Sequence, residues 1–335
     1  MDVKESKSRL SRRQFVKFLV ATGLGVPLAS CRGETQSPAP LPSEPSPTAT
    51  SVSREATPSS SPLTGGQAYL AVARGDDPRA ITRAALAALG GIERFVRTGM
   101  DVIIKPNICV DYHSYEYAAT TNPEVVAALV ELCLGAGAKR VRVMDSPFAG
   151  SAESAYARSG IADAVVAAGG VMEVMNEAKF RQIEIAQGRD ITRWPIYQDV
   201  ITADLFIDVP IAKHHSLARL TLAAKNLLGV ILNRNKIHAN LGQRIADLVS
   251  VIRPALTVVD AVQILMTNGP TGGSLDDVRV MNTVIASHDI VAADAYAATL
   301  FGLTGQEIAY IKAAADMNLG TLDLRTIHIE EISVS

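Results

Sequence analysis

Lysine and histidine side chains are the residues in this 335-residue sequence whose types and spacing best suit acid–base chemistry. Lys213 and His215 lie two residues apart, and Lys225 follows His215 by ten residues. A partly buried lysine can hold an anion as an ammonium group or act as a base when its pKa is lowered. Histidine titrates near neutrality and can relay protons. We therefore predict that these three residues are catalytic; the alternative is that both lysines are surface groups and the histidine is structural.

A second group of polar side chains falls where predicted strands end. Lys105 and Asn107 follow a buried strand at residues 102–104, and Asp145 follows a strand at residues 140–144. In open parallel sheets, ligands bind beyond the carboxyl ends of the strands. The residues predicted to bind a ligand are Lys105, Asn107, Asp145, Asn226, His238 and Asp260.

Several acidic residues have two interpretations. Asp145, Asp260, Asp289 and Asp294, with the histidines, are of types that bind a divalent metal. Asp289 precedes a predicted helix and suits an N-cap, while Asp294 lies inside that helix and suits a buried hydrogen bond. No His-x-x-x-His or Glu-x-x-His spacing occurs, so the pattern leaves a divalent metal, and its identity, open. The glycine-rich residues 268–273 either cradle an oxyanion or form a turn.

Short β-branched runs alternate with longer helical patterns, which is typical of βαβ units. Predicted strands occupy residues 68–73, 102–104, 140–144, 171–174, 182–185, 205–209, 256–259, 280–286 and 326–332. Predicted helices occupy residues 78–89, 123–134, 216–230 and 239–252, with others near 153 and 161 and starting at 290 and 306. The fold class is α/β, a mostly parallel sheet flanked by helices. Residues 66–335 form either one large domain or two intimately joined subdomains.

Composition narrows the functional class. Hydrophobic residues make up 48% and aromatic residues 5% of the chain, which suits an aliphatic core around a parallel sheet. Without residues 1–31 the chain has 26 basic and 32 acidic residues, a net charge of −6. No nucleic-acid partner is predicted, because such proteins present a basic surface. Besides Cys31, only Cys109 and Cys133 remain, so the cysteines of this chain cannot supply the four thiolates of an iron–sulfur cluster.

The amino-terminal residues 1–31 have the features of an export signal. Arg12 and Arg13 lie within Ser-Arg-Arg-Gln-Phe-Val-Lys, which resembles the motif read by the twin-arginine translocase. An apolar stretch follows that is too short to span a bilayer, and it ends in Leu-Ala-Ser-Cys, which resembles a lipobox. We predict lipidation of Cys31, a disordered Pro/Ser/Thr-rich linker over residues 32–65, and a membrane-anchored domain outside the cytoplasm. The alternative is an ordinary cleavage site with a chance cysteine.

The central motifs resemble the domain-of-unknown-function 362 family. That family has a strand, a Pro-Lys-x-Lys-x-His turn and a helix with Lys-Asn-x-x-Gly; here residues 210–215 read Pro-Ile-Ala-Lys-His-His and residues 225–229 read Lys-Asn-Leu-Leu-Gly. Ile211 stands where the family usually has its first lysine. The resemblance covers roughly residues 70–305 and implies the α/β fold and the location of a site. Many relatives also carry a ferredoxin-type domain, which this sequence lacks.

Two classes of function fit these observations. In the first, the protein is an enzyme whose lysine and histidine pocket performs acid–base chemistry on an anionic small molecule. In the second, it is a non-catalytic lipoprotein that binds an anion or metal for a partner, or an accessory to an iron–sulfur redox system. A catalyst should contain a lysine or histidine with a shifted pKa in the pocket, whereas a binding protein need not.

Overall fold

The computed structural model describes residues 69–335. The predicted signal peptide with Arg12, Arg13 and Cys31, and the predicted linker, lie outside the described residues. No helix within residues 69–335 has the length and apolarity needed to cross a lipid bilayer.

Strands and helices alternate along much of this part of the chain. The strands are β1 (Leu70–Arg74), β2 (Asp101–Pro106), β3 (Arg140–Val143), β4 (Val171–Met172), β5 (Phe180–Glu184), β6 (Arg193–Tyr197), β7 (Leu205–Val209), β8 (Ile211–His215), β9 (Arg219–Thr221), β10 (Leu256–Leu265), β11 (Val278–Ser287) and β12 (Ile329–Ser333). The helices are α1 (Pro78–Ala88), α2 (Pro123–Gly135), α3 (Ala152–Arg158), α4 (Ile161–Ala167), α5 (Gln198–Thr202), α6 (Ala223–Asn226), α7 (Arg234–Ile237), α8 (Leu241–Val251), α9 (Ile290–Thr299) and α10 (Ala309–Asp316).

Ten of these strands form one mixed sheet, in the order β12-β1-β11-β10-β7-β2-β3-β4, with β8 paired to β10 and β9 paired to β8. Strands β10, β7, β2, β3 and β4 run parallel to their neighbours in that order. Strand β11 is antiparallel to both β1 and β10. The predicted α/β class with a mostly parallel sheet is therefore confirmed, and β5 and β6 form a separate antiparallel pair.

A hydrophobic core covers each face of this sheet. Successive side chains of a strand point to opposite faces, and on β2 the buried Ile103 belongs to one core while Ile104 belongs to the other. Helices α8, α9 and α10 contribute to the first core, and α1, α2 and α4 contribute to the second. Helices therefore cover both faces of the sheet, and a ligand can reach the strands only at their ends.

The predicted helix at residues 216–230 is wrong over its first half. Residues 211–221 instead form the antiparallel hairpin β8–β9, in which Lys213 pairs with Thr221. Strand β10 is ten residues long and pairs with β7 only at Leu256 and Thr257. Further along, β8 pairs with it at Asp260 and Leu265, so sheet hydrogen bonding overrides the local helical pattern. The strand β6 was also absent from the predicted elements.

Candidate functional site

A cavity of about 440 Å³ lies at the carboxyl ends of β2 and β3, beside β8 and α6. Eight of the nine predicted catalytic or ligand-binding residues line it, namely Lys105, Asn107, Asp145, Lys213, His215, Lys225, Asn226 and His238. The parallel strands account for this convergence, because their carboxyl ends meet at one edge of the sheet.

Lys105 lies at the base of the cavity and is fully buried. Its Nζ lies 2.8 Å from Asp145 Oδ1, and it donates hydrogen bonds of 2.9 Å to Asn226 Oδ1 and to the carbonyl oxygen of Pro106. The second oxygen of Asp145 accepts the backbone N–H of Ile108 at 2.7 Å. A buried ion pair is stabilised when hydrogen bonds satisfy its remaining donors and acceptors, and these contacts do so for Lys105 Nζ and Asp145 Oδ2.

Asn226 joins the strand ends to α6. Its Oδ1 accepts from Lys105 Nζ and from Asn107 Nδ2, each at 2.9 Å. Its Nδ2 donates to Asp208 Oδ1 at 2.8 Å. Burial raises the pKa of Asp208 well above its ordinary value, so a protonated carboxyl group is favoured there. The amide of Asn226 is suited to this position because it offers both a donor and an acceptor.

Gly229 makes room for the ion pair. A Cβ atom at this position would lie 2.0 Å from Asp145 Oδ1 and 2.6 Å from Lys105 Nζ. Any side chain larger than hydrogen would therefore displace one of the two charged groups. The Lys-Asn-x-x-Gly motif thus carries three site residues on one short segment. Lys225 enters the cavity, Asn226 hydrogen-bonds to the strand ends, and Gly229 leaves room for the ion pair.

Lys213 extends from β8 and is 1% exposed. Its Nζ donates to Ala119 O at 2.6 Å and to Asn107 Oδ1 at 3.1 Å. Burial lowers the pKa of Lys213. The two neutral acceptors hold the ammonium group in place without neutralising its charge.

Lys225 projects from α6 into the same cavity. It forms no hydrogen bond or ion pair with any other residue in the described range 69–335. Burial, followed by the positive charge of Lys213, lowers the pKa of Lys225 to about 7. The helix that carries it is seated by Asp294, whose carboxylate oxygens accept the backbone N–H groups of Ala223 and Ala224 at 2.7 and 3.0 Å.

His215 presents a defined tautomer to the cavity. Its Nδ1 accepts the backbone N–H groups of Leu217 and Ala218 at 3.1 and 3.2 Å, so in the neutral ring the proton is on Nε2. Burial, followed by the positive charge of Lys225, lowers the pKa of His215 to about 3. This lowered pKa favours a neutral ring at pH 7 with its Nε2–H available to donate a hydrogen bond, a state less suited to the proton relay considered from the sequence.

The two remaining ligand-binding predictions differ in their placement. His238 lines the cavity but is solvent-exposed, on a short 3₁₀ turn at the rim. Asp260 does not line the cavity. It is 1% exposed, and its oxygens accept the backbone N–H groups of Asn122 at 2.7 Å and Val262 at 2.9 Å. Its carboxylate therefore joins β10 to the start of α2.

Arg234 and Cys109 line the cavity but were not identified as site residues from the sequence. Arg234 lies on the one-turn helix α7 and donates to Gly229 O at 3.3 Å and Pro147 O at 3.4 Å; burial lowers its pKa. Cys109, considered in the sequence only as a cysteine outside any iron–sulfur cluster, lines the cavity, and its Sγ donates to the carbonyl oxygen of Pro270 at 3.5 Å. Neither residue belongs to a periodic pattern. For Cys109, the available signal was its position two residues after Asn107.

Three polar residues outside the cavity lining, Asp289, His214 and His113, have structural partners. Asp289 caps α9 by accepting the backbone N–H groups of Val291 and Ala292. His214 Nδ1 accepts from Gly269 N at 3.1 Å, which places the glycine-rich loop against β8. His113 stacks on Tyr117 with ring centroids 4.0 Å apart.

Charge distinguishes the cavity from an ordinary cleft. Its lining includes four basic residues (Lys105, Lys213, Lys225 and Arg234) and two histidines, but one acidic residue, Asp145, which is already paired with Lys105. Within residues 69–335 no group of three or more His, Cys, Asp or Glu side chains is arranged to hold a metal ion. Cys109 and Cys133 are both unpaired and buried. The arrangement therefore favours an anion.

One curated relative is the thylakoid-associated protein of Synechocystis sp. (strain ATCC 27184 / PCC 6803 / Kazusa). It is 27% identical over 227 residues, which are 63% of this chain and 66% of that protein. The chain thus spans just under two thirds of the relative's length.

Two solved structures are more distant. The lactate racemase apoprotein of Thermoanaerobacterium thermosaccharolyticum gives a TM-score of 0.42 at 12% identity, covering 76% of this chain and 58% of that one. A structural-genomics protein of Thermotoga maritima gives a TM-score of 0.37 at 10% identity, covering 68% and 60%. Both likenesses are too remote to transfer a ligand or reaction.

The family comparison is decisive by contrast. Residues 102–299, more than half of the chain, match the family described as Domain of unknown function (DUF362). This range contains every residue described above as lining the cavity. The resemblance seen in the sequence motifs is confirmed, and the chain belongs to the DUF362 family.

Proposed function

We propose that the cavity binds a small carboxylate- or phosphate-bearing molecule and that Lys225 transfers a proton to or from it. The observation that supports this most strongly is the excess of cationic side chains over a single carboxylate that is already ion-paired. Without an anionic ligand, Lys213, Lys225 and Arg234 would remain near one another with no counter-ion among the lining residues. An anion would offset their mutual repulsion.

The two groups nearest the proton chemistry have different roles. Lys225, with a pKa of about 7, exists as both amine and ammonium at neutral pH, which suits a general base. His215 is neutral and donates from Nε2, which suits stabilisation of a developing oxyanion. In this proposal Lys225 changes its charge during turnover, while His215 stays neutral.

Calorimetric titration of the full chain with inorganic phosphate and with succinate tests the anion site. We expect Lys213→Met to weaken binding by about tenfold or more, because it removes a buried cation from the site. The matched control is Lys139→Met, which removes an exposed lysine outside the cavity. Equal affinities for both variants and the parent protein would contradict the proposal.

Proton exchange separates an enzyme from a non-catalytic binding protein. In D₂O, a catalyst with a base at Lys225 should exchange the carbon-bound protons next to the carboxylate of succinate, as followed by proton NMR. Lys225→Met should abolish the exchange. Binding without exchange would favour the alternative, a lipoprotein that captures an anion for a partner.

We also propose that the chain is exported by the twin-arginine translocase and anchored to a membrane by a lipid on Cys31. The support is the Arg12-Arg13 motif and the Leu-Ala-Ser-Cys segment; the Synechocystis relative is itself described as thylakoid-associated. Metabolic labelling with a radioactive fatty acid should label the parent chain and not Cys31→Ala. Arg12→Lys/Arg13→Lys should keep the chain in the cytoplasm, and unchanged fractionation would overturn the export proposal.

A further inference from the structure

The three lysines that line the cavity have different bonding partners. Lys105 Nζ contacts Asp145 and Asn226, and Lys213 Nζ donates to Asn107 and Ala119. These oxygen acceptors hold the Nζ atoms of both side chains in place.

Lys225 is the exception. Within residues 69–335 it donates no hydrogen bond and makes no ion pair, although it lines the cavity. Its neighbours in the chain are the buried amide Asn226 and the buried apolar residues Leu222, Ala223, Ala224, Leu227 and Leu228. The positive charges of Lys213 and Arg234 act on it as well. An amine in this environment has a large neutral fraction, and neutral amines are nucleophiles.

The groups around Lys225 match the remaining parts of a carbonyl substrate. Arg234 and Lys213 are placed for an anionic substituent, and His215 offers an Nε2–H donor for a carbonyl oxygen. We propose that Lys225 forms an imine with a small aldehyde or ketone that carries a carboxylate or phosphate group. This inference rests on the anion site proposed above.

The covalent step needs no oxidant or reductant. The lone pair of the neutral Lys225 amine attacks the carbonyl carbon, the C=O π electrons move to the oxygen, and one proton passes from nitrogen to that oxygen to give a carbinolamine. A proton from solvent then lets the hydroxyl leave as water, while the nitrogen lone pair forms the C=N bond of a protonated imine that keeps one N–H. The protonated imine then withdraws electrons from the adjacent carbon, which makes a proton on that carbon easier to remove.

Reductive trapping tests this assignment. The full chain is incubated with pyruvate and sodium cyanoborohydride, and the modified lysines are located by peptide mass spectrometry. We expect Lys225 to be labelled about tenfold more than Lys139, an exposed lysine that reports non-specific alkylation in the same digest. Lys225→Arg keeps the positive charge but cannot form the imine, so the specific mass increment should disappear.

Calorimetry with pyruvate separates this inference from the proposed function. If pyruvate binds in a manner that depends on Lys213 but Lys225 is labelled no more than Lys139, the imine is wrong and the anion site stands. If pyruvate neither binds nor labels Lys225 selectively, both are wrong. Selective labelling lost in Lys225→Arg supports both.

Discussion

Lys105 Nζ lies 2.8 Å from Asp145 Oδ1, and the two side chains are 0% and 4% exposed. The pair joins the carboxyl end of β2 to the residue segment after β3. Gly229, three residues after α6 ends, lies directly against this pair, and a Cβ atom there would lie 2.0 Å from Asp145 Oδ1. One wall of the cationic cavity is therefore an ion pair with no room for a larger residue beside it.

Gly229→Ala should destabilise the protein by roughly 2–4 kcal/mol, because the added methyl group must displace a buried charged group. Chemical denaturation would measure the free energy of unfolding. Gly135→Ala is the matched control, since a Cβ there meets no atom within 4 Å and helix propensity favours alanine. A loss of stability no larger than that of the control would contradict this account of Gly229.

Asn226→Ala should cost roughly 2–3 kcal/mol of stability, because it leaves buried polar groups without partners. The affected groups include Asp208 Oδ1 and Asn107 Nδ2. Thermal or chemical unfolding would measure this, with Asn235→Ala as the control because Asn235 is exposed on the cavity rim. If both variants unfold like the parent protein, Asn226 does not hold these elements together.

Strand ends alone gave a useful but incomplete guide to the site. Lys105, Asn107 and Asp145 lie where their parallel strands end, and the fold brings them together. The same reasoning misplaced Asp260, because β10 continues to Leu265 and its residue 260 lies in mid-strand. The sequence pattern located the start of β10 correctly. It did not predict the end of β10, because pairing with neighbouring strands extends that strand.

Long-range pairing accounts for the other differences. Residues 216–222 have a helical pattern, yet they belong largely to the turn and second strand of the β8–β9 hairpin. The reason is that β8 pairs with β10, whose partner residues Asp260 and Leu265 lie far along the chain from Ile211 and Lys213. Arg234 could not be identified because a one-turn helix has no periodicity to read. Asp294 was correctly predicted to make a buried hydrogen bond, but its partners on α6 became known only from the fold.

Anion affinity should fall with rising pH. The folded-state pKa of Lys225 is about 7, lowered from its ordinary value by burial, so its ammonium fraction decreases as the pH passes through 7. If the ammonium form binds the anion, affinity should fall by up to about tenfold per pH unit above 7. Calorimetry with phosphate-free buffers and succinate would measure this, and Lys225→Met should flatten the profile. A steep profile in Lys225→Met would assign the titration to another group.

His215 should remain neutral from about pH 4.5 to about pH 8, because burial and the charge of Lys225 lower its pKa to about 3. Nitrogen NMR of the imidazole should show a protonated Nε2 and an unprotonated Nδ1 throughout, as its two backbone contacts require. The exposed His238 serves as the internal comparison. A midpoint for His215 near its ordinary value would show that the ring is charged in the cavity and would restore its role as a proton relay.

Cys109 should react with iodoacetamide faster than Cys133. Both thiols are buried, but Cys109 lines the cavity, whereas burial raises the pKa of Cys133 to about 12 and leaves almost no thiolate. Mass spectrometry of the alkylated peptides would compare the two rates. Saturating succinate should protect Cys109; labelling that is equal at both cysteines, or insensitive to succinate, would contradict the placement of Cys109 beside the anion.

The carboxylate of Asp294 accepts hydrogen bonds from the first residues of α6, although Asp294 lies on α9, about 70 residues further along the chain. Every cavity-lining residue precedes position 271. All of them are therefore synthesised before Asp294, the residue that holds α6 and Lys225 in place. Until Asp294 has been synthesised, α6 lacks the two acceptors that its backbone N–H groups use in the folded protein. The support for Lys225 is therefore completed later in synthesis than the cavity lining itself.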